Sequence, residues 1–191
     1  MASGEPRLAI VVGHPSSCSR THAIAARAGE RLVRALRDEE VHLSGPQLID
    51  LAELAPSLLD RNGHGGPADM ALRTVREVPL VLAASPTFRG ACSGLLKLFL
   101  DLMPRHGLTD TVVVPLMTAS IPAHRRAVDT SLRPVLLELR ASVPAPGISV
   151  LDTEFAHFDD VFDIWWTAHG HALSRAVGQR TGDRADEVTQ C

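Results

Sequence analysis

The chain has 191 residues, of which 45% are hydrophobic and 21% charged, so we expect one globular domain over residues 1–180 with a substantial core. Acidic and basic residues are interspersed and the net charge is −3, which disfavours nucleic acid and anionic membranes as partners. No apolar run approaches the roughly 18 residues of a membrane helix. The three cysteines are far apart, so we expect a cytoplasmic protein with free thiols.

Short apolar runs alternate with amphipathic segments along the chain. The first run, residues 8–12, is rich in β-branched residues and ends at Gly13, which is typical of a strand buried on both faces. The predicted strands are residues 8–12, 41–51, 79–83, 111–115 and 147–151. The predicted helices are residues 24–36, 68–77, 95–103, 132–139 and 158–180. A glycine-rich surface loop is predicted at residues 62–67, and a disordered polar tail at residues 181–191.

This alternation predicts a parallel sheet with helices on both faces, because the crossover connections are right-handed. Five strands favour an α/β, flavodoxin-like three-layer sandwich with strand order 2-1-3-4-5. In that order, ligands bind beyond the carboxyl ends of strands one and three, where the strand sequence changes direction. The segments that meet there are residues 13–21 and residues 85–90.

Residues 13–21 lead from the first strand directly into the first helix. They carry several hydroxyl groups, one guanidinium and no carboxylate. Ser19, Arg20 and Thr21 can therefore join the free N–H groups of the helix start in binding a phosphomonoester. Ordinary N-capping by Ser19 or Thr21 explains the hydroxyl groups equally well. The glycine fingerprints of dinucleotide sites and P-loops are missing after this strand, so neither ligand is expected to be held tightly there.

Two later loops have room for a flat ring. In residues 85–90, Pro86 is rigid, Phe88 is aromatic and Gly90 lets a ring lie against the backbone, although Phe88 fits a core position equally well. Residues 117–122 are mostly small. Because His169 and His171 are two residues apart on a helix, they point to different faces, and we expect no metal site. We also expect no hydrolase triad and no catalytic acid or base.

Six short motifs follow one another in a recognisable order. They are SPTFRGACSGLLK at residues 85–97, DLMP at 101–104, VVVPL at 112–116, AH at 123–124, AVD at 127–129 and LRPVL at 132–136. Together they resemble the NAD(P)H-dependent FMN reductases, particularly the reductase components of alkanesulfonate monooxygenase systems. The resemblance covers about residues 8–139 and implies an oxidoreductase that transfers a hydride from NADPH or NADH to FMN. It also implies a homodimer or homotetramer, and a flavin-dependent monooxygenase as a possible partner.

The resemblance assigns roles to individual residues. It implies that Ser19, Arg20 and Thr21 bind the FMN phosphate and that Thr118 lies beside the flavin ring. The second loop is implied to border the isoalloxazine through Pro86, Thr87, Phe88 and Arg89. The nicotinamide C4 is expected to stack over the flavin N5 next to Phe88 and Arg89.

The chain departs from the family pattern at five positions. His14 and Ser16 stand where a serine and an arginine are usual, and Ala119 and Ser120 replace two glycines. Cys92 replaces a tyrosine, where we expect either a π-bulge or a small buried cysteine. These changes predict loosely held, exchangeable FMN. The alternatives are an FMN-bound quinone or azo reductase, and a non-catalytic flavodoxin-like protein with a weakened flavin site.

Overall fold

Strands and helices alternate in the computed structural model, which describes residues 7–60 and 65–189, with side chains to Gly182. The strands are β1 (Arg7–Val12), β2 (Ser44–Asp50), β3 (Leu80–Phe88), β4 (Ala91–Cys92), β5 (Val112–Ala119) and β6 (Ile148–Leu151). The α-helices are α1 (Arg20–Asp38), α2 (Leu51–Leu59), α3 (Pro67–Glu77), α4 (Gly94–Asp101), α5 (Arg133–Glu138) and α6 (Phe158–Thr189). Residues 62–64 of the predicted surface loop lie outside the described residues.

Five strands form a parallel sheet in the order β2-β1-β3-β5-β6, and β4 pairs only with β3. Without the short β4, this is the predicted order 2-1-3-4-5, so the predicted flavodoxin-like sandwich is confirmed. β1 and β3 pair in register from Leu8 with Leu80 to Val12 with Ala84. Because β3 continues beyond this pairing to Phe88, its end projects past the end of β1.

Alternate side chains of the central strands enter two separate cores. Leu8, Ile10 and Val12 of β1 pack against α1 and α6. Ala9 and Val11 pack on the opposite face, against the layer that contains α2, α3, α4 and α5. A strand that is buried on both faces needs apolar residues at every position, which explains the continuous apolar runs in the sequence.

The segment predicted as a loop at residues 85–90 is a β-hairpin. β3 continues through it, turns at Arg89 and Gly90, and returns as β4, with Phe88 opposite Ala91. The φ angles of Arg89 and Gly90 are 53° and 80°, the backbone that a two-residue type I′ turn requires. The loop prediction for residues 85–90 is wrong because a proline usually ends a strand, whereas the β3–β5 ladder continues through Ser85 to Pro86.

Cys92 lies in β4 and not in a helix, so the predicted π-bulge at this position is wrong. A π-helical turn occurs instead at Val128–Leu132, directly before α5. The two features touch, because the N–H of Cys92 donates to the hydroxyl of Ser131 at 2.9 Å. The cysteine side chain is partly buried against the core on this face of the sheet.

Two helices, α2 and α6, differ from the prediction. α2 begins directly after β2 and was missed, because Pro56 lies inside this short helix and weakens its sequence signal. α6 continues to Thr189, past the expected end at Arg180 and into the predicted tail. No proline follows Arg180 to stop the helix. None of the helices in the described residues is long and apolar enough to cross a membrane.

Candidate functional site

A cavity of about 340 Å³ opens where β1, β3 and β5 end, at the point where the strand order changes direction. Its volume is within the range of small-molecule sites, roughly 300–1,000 Å³. Seven of the eight residues predicted to bind the cofactor border it, and Arg89 does not. The lining residues are His14, Ser16, Ser19, Arg20, Thr21, Pro86, Thr87, Phe88, Thr118, Ser120, Asp152 and Phe155.

A larger groove of about 430 Å³ lies at the opposite edge of the sheet, between the end of α3 and the residues before β5. Exposed arginines, Arg73, Arg76 and Arg105, form part of its walls, and none of the predicted site residues borders it. Ligands of open parallel sheets bind at the carboxyl ends of the strands, and this groove is at the amino ends. The smaller cavity is therefore the candidate site.

The first loop is held against α4 by close packing. A Cβ at Gly13 would lie 2.4 Å from the Cβ of Leu96, so only glycine allows this approach. The Gly13 N–H donates to the carbonyl of Ala84 at 2.8 Å, and the hydroxyl of Ser93 donates to the Gly13 carbonyl. Ser93 also caps α4 by accepting from the N–H of Leu96 at 3.1 Å. These bonds set the position of the loop relative to β3 and α4.

The N-terminus of α1 faces the cavity. The hydroxyl of Ser19 accepts a hydrogen bond from the N–H of His22 at 3.2 Å, so Ser19 is the N-cap. The N–H groups of Arg20 and Thr21 belong to the first turn and have no acceptor within the helix. Because both residues line the cavity, this end of α1 offers free donors and the positive end of the helix dipole to an anion.

Thr21 has a partner that the sequence does not reveal. Its Oγ1 lies 2.7 Å from the Oγ1 of Thr118, and both side chains are buried. This bond joins the start of α1 to the end of β5. Since one hydroxyl donates to the other, Thr21 and Thr118 together have one hydroxyl proton left for a ligand or a second acceptor.

The second loop contributes one wall of the cavity through Pro86, Thr87 and Phe88. The Oγ1 of Thr87 is buried and has no hydrogen-bond partner in the described part of the chain. Phe88 is 47% exposed, so it does not serve as a core residue. Arg89 lies at the exposed tip of the hairpin, beyond the cavity wall.

The family departures fall on both sides of the cavity. The ring of His14 lies 6.1 Å from the ring of Phe88, and its Nδ1 accepts from the N–H of Ser16 at 2.9 Å. Ser120 is exposed and borders the cavity. Ala119 is buried in the β5–β6 ladder and is not among the lining residues, so its methyl group does not crowd the cavity.

Sequence reasoning missed the wall formed by Asp152 and Phe155. Both belong to a 3-10 helical segment, Asp152–His157, that directly follows β6. The guanidinium of Arg20 lies 5.6 Å from the centroid of the Phe155 ring, and its Nη2 lies 4.0 Å from Oδ2 of Asp152. The predicted fifth strand ends at Leu151, so position 152 was a detectable signal at the carboxyl edge of the sheet.

An ion pair joins this 3-10 segment to the segment that follows β5. Arg125 donates to the carboxylate of Glu154 and, at 3.2 Å, to the carbonyl of Ser149. Burial by itself would raise the pKa of Glu154, but the hydrogen bonds from the N–H of Leu151 and from Arg125 outweigh it and lower that pKa. The pair therefore connects two walls of the cavity at neutral pH.

Two residues of the AVD and LRPVL motifs, Asp129 and Arg133, bind the backbone of the segment that leads into β6. The carboxylate of Asp129 accepts from the N–H of Gly147 at 3.0 Å. Arg133 donates to the carbonyls of Val143 and Ala145 at 3.0 Å and 2.8 Å. These bonds hold the segment that leads into β6, so the two motif residues have a structural role.

Comparison with known proteins identifies the family. The family model for NADPH-dependent FMN reductase matches residues 6–156. The chain belongs to this family. FMN reductase (NADPH) of Escherichia coli K12 is 32% identical over 152 residues, which are 78% of this chain and 74% of that protein. NADH-dependent FMN reductase SfnF of Pseudomonas putida is 28% identical over 145 residues, 74% and 75% of the two chains.

A solved structure agrees over nearly the full length. An oxidoreductase from Corynebacterium diphtheriae superposes with a TM-score of 0.72 at 25% identity, covering 94% of this chain and 97% of that one. Membership of the FMN reductase family confirms the predicted enzyme class, a flavin oxidoreductase that uses FMN and NAD(P)H. The candidate cavity suits such a cofactor, because it is bordered by a helix N-terminus and by Thr87, whose buried hydroxyl lacks a partner among the described residues.

Proposed function

We propose that the cavity at the ends of β1, β3 and β5 is the FMN site of this reductase, with the phosphate at the N-terminus of α1 and the ring against the β3–β4 hairpin. The observation that carries the proposal is that one cavity is lined both by the first residues of α1 and by Thr87, whose buried hydroxyl has no hydrogen-bond partner in the described part of the chain. The proposed residues for binding FMN or the nicotinamide cofactor are Ser19, Arg20, Thr21, Pro86, Thr87, Phe88, Arg89 and Thr118, of which Arg89 lies outside the cavity and is assigned to the nicotinamide cofactor.

Different residues of the site are assigned to different parts of the two cofactors. Bound FMN supplies the hydride-accepting chemistry, so the protein needs no acid or base of its own. Ser19 and Arg20 bind the phosphate, while Pro86 and Thr87 support the ring. Phe88 is half exposed at the cavity mouth, where it offers an apolar surface to the nicotinamide ring. Arg89 at the hairpin tip offers a cation to the phosphates of NADPH or NADH, the dinucleotide that carries this nicotinamide ring.

The solvent access and the charges of the cavity indicate how tightly FMN is held. The cavity is open to solvent, and its lining contains one guanidinium and one carboxylate, which supports FMN that exchanges and does not stay bound. In this proposal the reduced flavin passes to a flavin-dependent monooxygenase in the cytoplasm.

We also propose that the chain assembles as a homodimer or homotetramer through α4, where Lys97 and Asp101 form an exposed ion pair. Light scattering of the purified protein tests the assembly.

Anaerobic mixing of the protein with FMN and NADPH, or with NADH, tests the reductase function directly. We expect the absorbance of oxidised flavin to disappear on mixing, and FMN to bind saturably in a fluorescence titration. We also expect the purified protein to be colourless or only pale yellow, because FMN exchanges. A reaction no faster than that of free FMN with the same nicotinamide would refute the proposal. A deep yellow protein that reduces quinones but releases no flavin would favour a retained-cofactor reductase.

A further inference from the structure

Asp152 places a carboxylate in the cavity proposed to receive a phosphate. It directly follows β6 and lines the same cavity as Ser19 and Arg20. Its Oδ2 lies 4.0 Å from Nη2 of Arg20, and the two side chains are 33% and 74% exposed. The pair therefore lies at the mouth of the cavity, where water and ligand both have access to it.

Two contacts draw Arg20 toward the same segment. The guanidinium lies 5.6 Å from the centroid of the Phe155 ring, a cation–π contact, and near the carboxylate of Asp152. Phe155 and Asp152 both belong to the 3-10 segment after β6. Arg20 is thus directed to this wall of the cavity, and its charge is shared with the carboxylate of Asp152.

The permanent charges of the cavity cancel. Among its lining residues, Arg20 is the one arginine or lysine and Asp152 the one aspartate or glutamate. A phosphomonoester carries a charge of about −1.5 to −2 at neutral pH. It therefore meets no net positive charge from these side chains, and its attraction to Arg20 competes with that of Asp152.

We propose that Asp152 sets the phosphate affinity of the site by competing for Arg20, and thereby keeps FMN exchangeable. The inference rests on the proposed FMN function and identifies Asp152 as a positioning residue that lowers the affinity for phosphorylated flavin and leaves the affinity for unphosphorylated flavin unchanged. Weak phosphate binding suits an enzyme whose reduced flavin leaves for a second protein. The arrangement also accounts for loose binding more directly than His14 or Ser16, which carry no carboxylate into the site.

The test compares FMN with riboflavin, which lacks the phosphate. Dissociation constants are measured by quenching of flavin fluorescence for the wild type, Asp152→Asn, Arg20→Gln and the double variant. Asp160→Asn is the matched control, because Asp160 is exposed, lies outside the cavity lining and loses the same charge. Thermal unfolding of each variant verifies that it is folded.

We expect Asp152→Asn to bind FMN about three- to fivefold more tightly, the effect of one exposed ion pair, with riboflavin affinity unchanged. Asp160→Asn should change neither affinity. In the Arg20→Gln background the gain should disappear, because the competition for Arg20 is gone.

Three results would overturn the inference while FMN reduction stands: weaker or unchanged FMN binding by Asp152→Asn, an equal gain for riboflavin, or an undiminished gain without the guanidinium of Arg20. An undiminished gain would mean that the carboxylate repels the phosphate directly. Absence of saturable FMN binding by the wild-type protein would overturn both the inference and the proposed function.

Discussion

Replacing Thr87 by valine separates the stability of the fold from its affinity for flavin. The Oγ1 of Thr87 is buried without a hydrogen-bond partner in the described chain. Leaving such a hydroxyl unpaired costs about 1–3 kcal/mol of folding free energy, and valine has nearly the same shape. We therefore expect the free energy of unfolding of ligand-free Thr87→Val to be unchanged or higher by up to that amount.

The same substitution should weaken FMN binding if the hydroxyl bonds the cofactor. The net contribution of one hydrogen bond is about 0.5–1.5 kcal/mol, which corresponds to a roughly two- to twelvefold higher dissociation constant. Urea unfolding of the ligand-free protein and fluorescence titration with FMN measure the two effects independently. A more stable protein with weaker flavin binding is the expected signature of a polar group whose partner is a ligand.

Thr111 provides a matched control within the same chain. Its side chain is fully buried and its Oγ1 also lacks a partner among the described residues, but it precedes β5 at the opposite edge of the sheet. Thr111→Val should therefore raise the free energy of unfolding without changing FMN affinity. Equal effects of the two substitutions on FMN binding, or a marked loss of stability in Thr87→Val, would refute the reasoning.

Three further substitutions test other parts of the site. Gly13→Ala places a Cβ 2.4 Å from that of Leu96, so we expect a loss of about 1–3 kcal/mol in urea unfolding and weaker FMN binding; wild-type stability would contradict the close packing. Arg89→Asn suits the positive φ of 53°, so stability should hold or rise slightly and FMN affinity should not change. Steady-state kinetics should then give a raised KM for NADPH, and an unchanged KM would exclude a role for Arg89. The lowered pKa of Glu154 means that its stabilising effect is present above its ordinary pKa of 4.5 and is lost as pH falls through the folded-state value. Glu154→Gln should remove that part of the acid dependence of urea unfolding, and identical pH curves would argue against it.

The position of the first loop can be predicted from residues that are neighbours in the sequence. Ser19 precedes a helical periodicity and follows an apolar run, so its position at the start of α1 is predictable from neighbours in the sequence. The same patterns predict that this loop and the end of β3 meet, because parallel strands place their carboxyl ends at one edge of the sheet. The resemblance carried by the motifs around Pro86 then predicts that the anion bound there is the phosphate of FMN.

By itself the sequence determined the five strands of the parallel sheet, their order, the family and the edge of the sheet where the cavity lies, because each of these follows from local periodicity or from contiguous motifs. Only the tertiary structure decided which groups are available there. The bond between Thr21 and Thr118 joins residues 97 positions apart, and Asp152 lies near Arg20 across an even longer separation in the chain. Such contacts depend on how helices and strands pack, and no local pattern of residues encodes the distance between two side chains that the fold brings together.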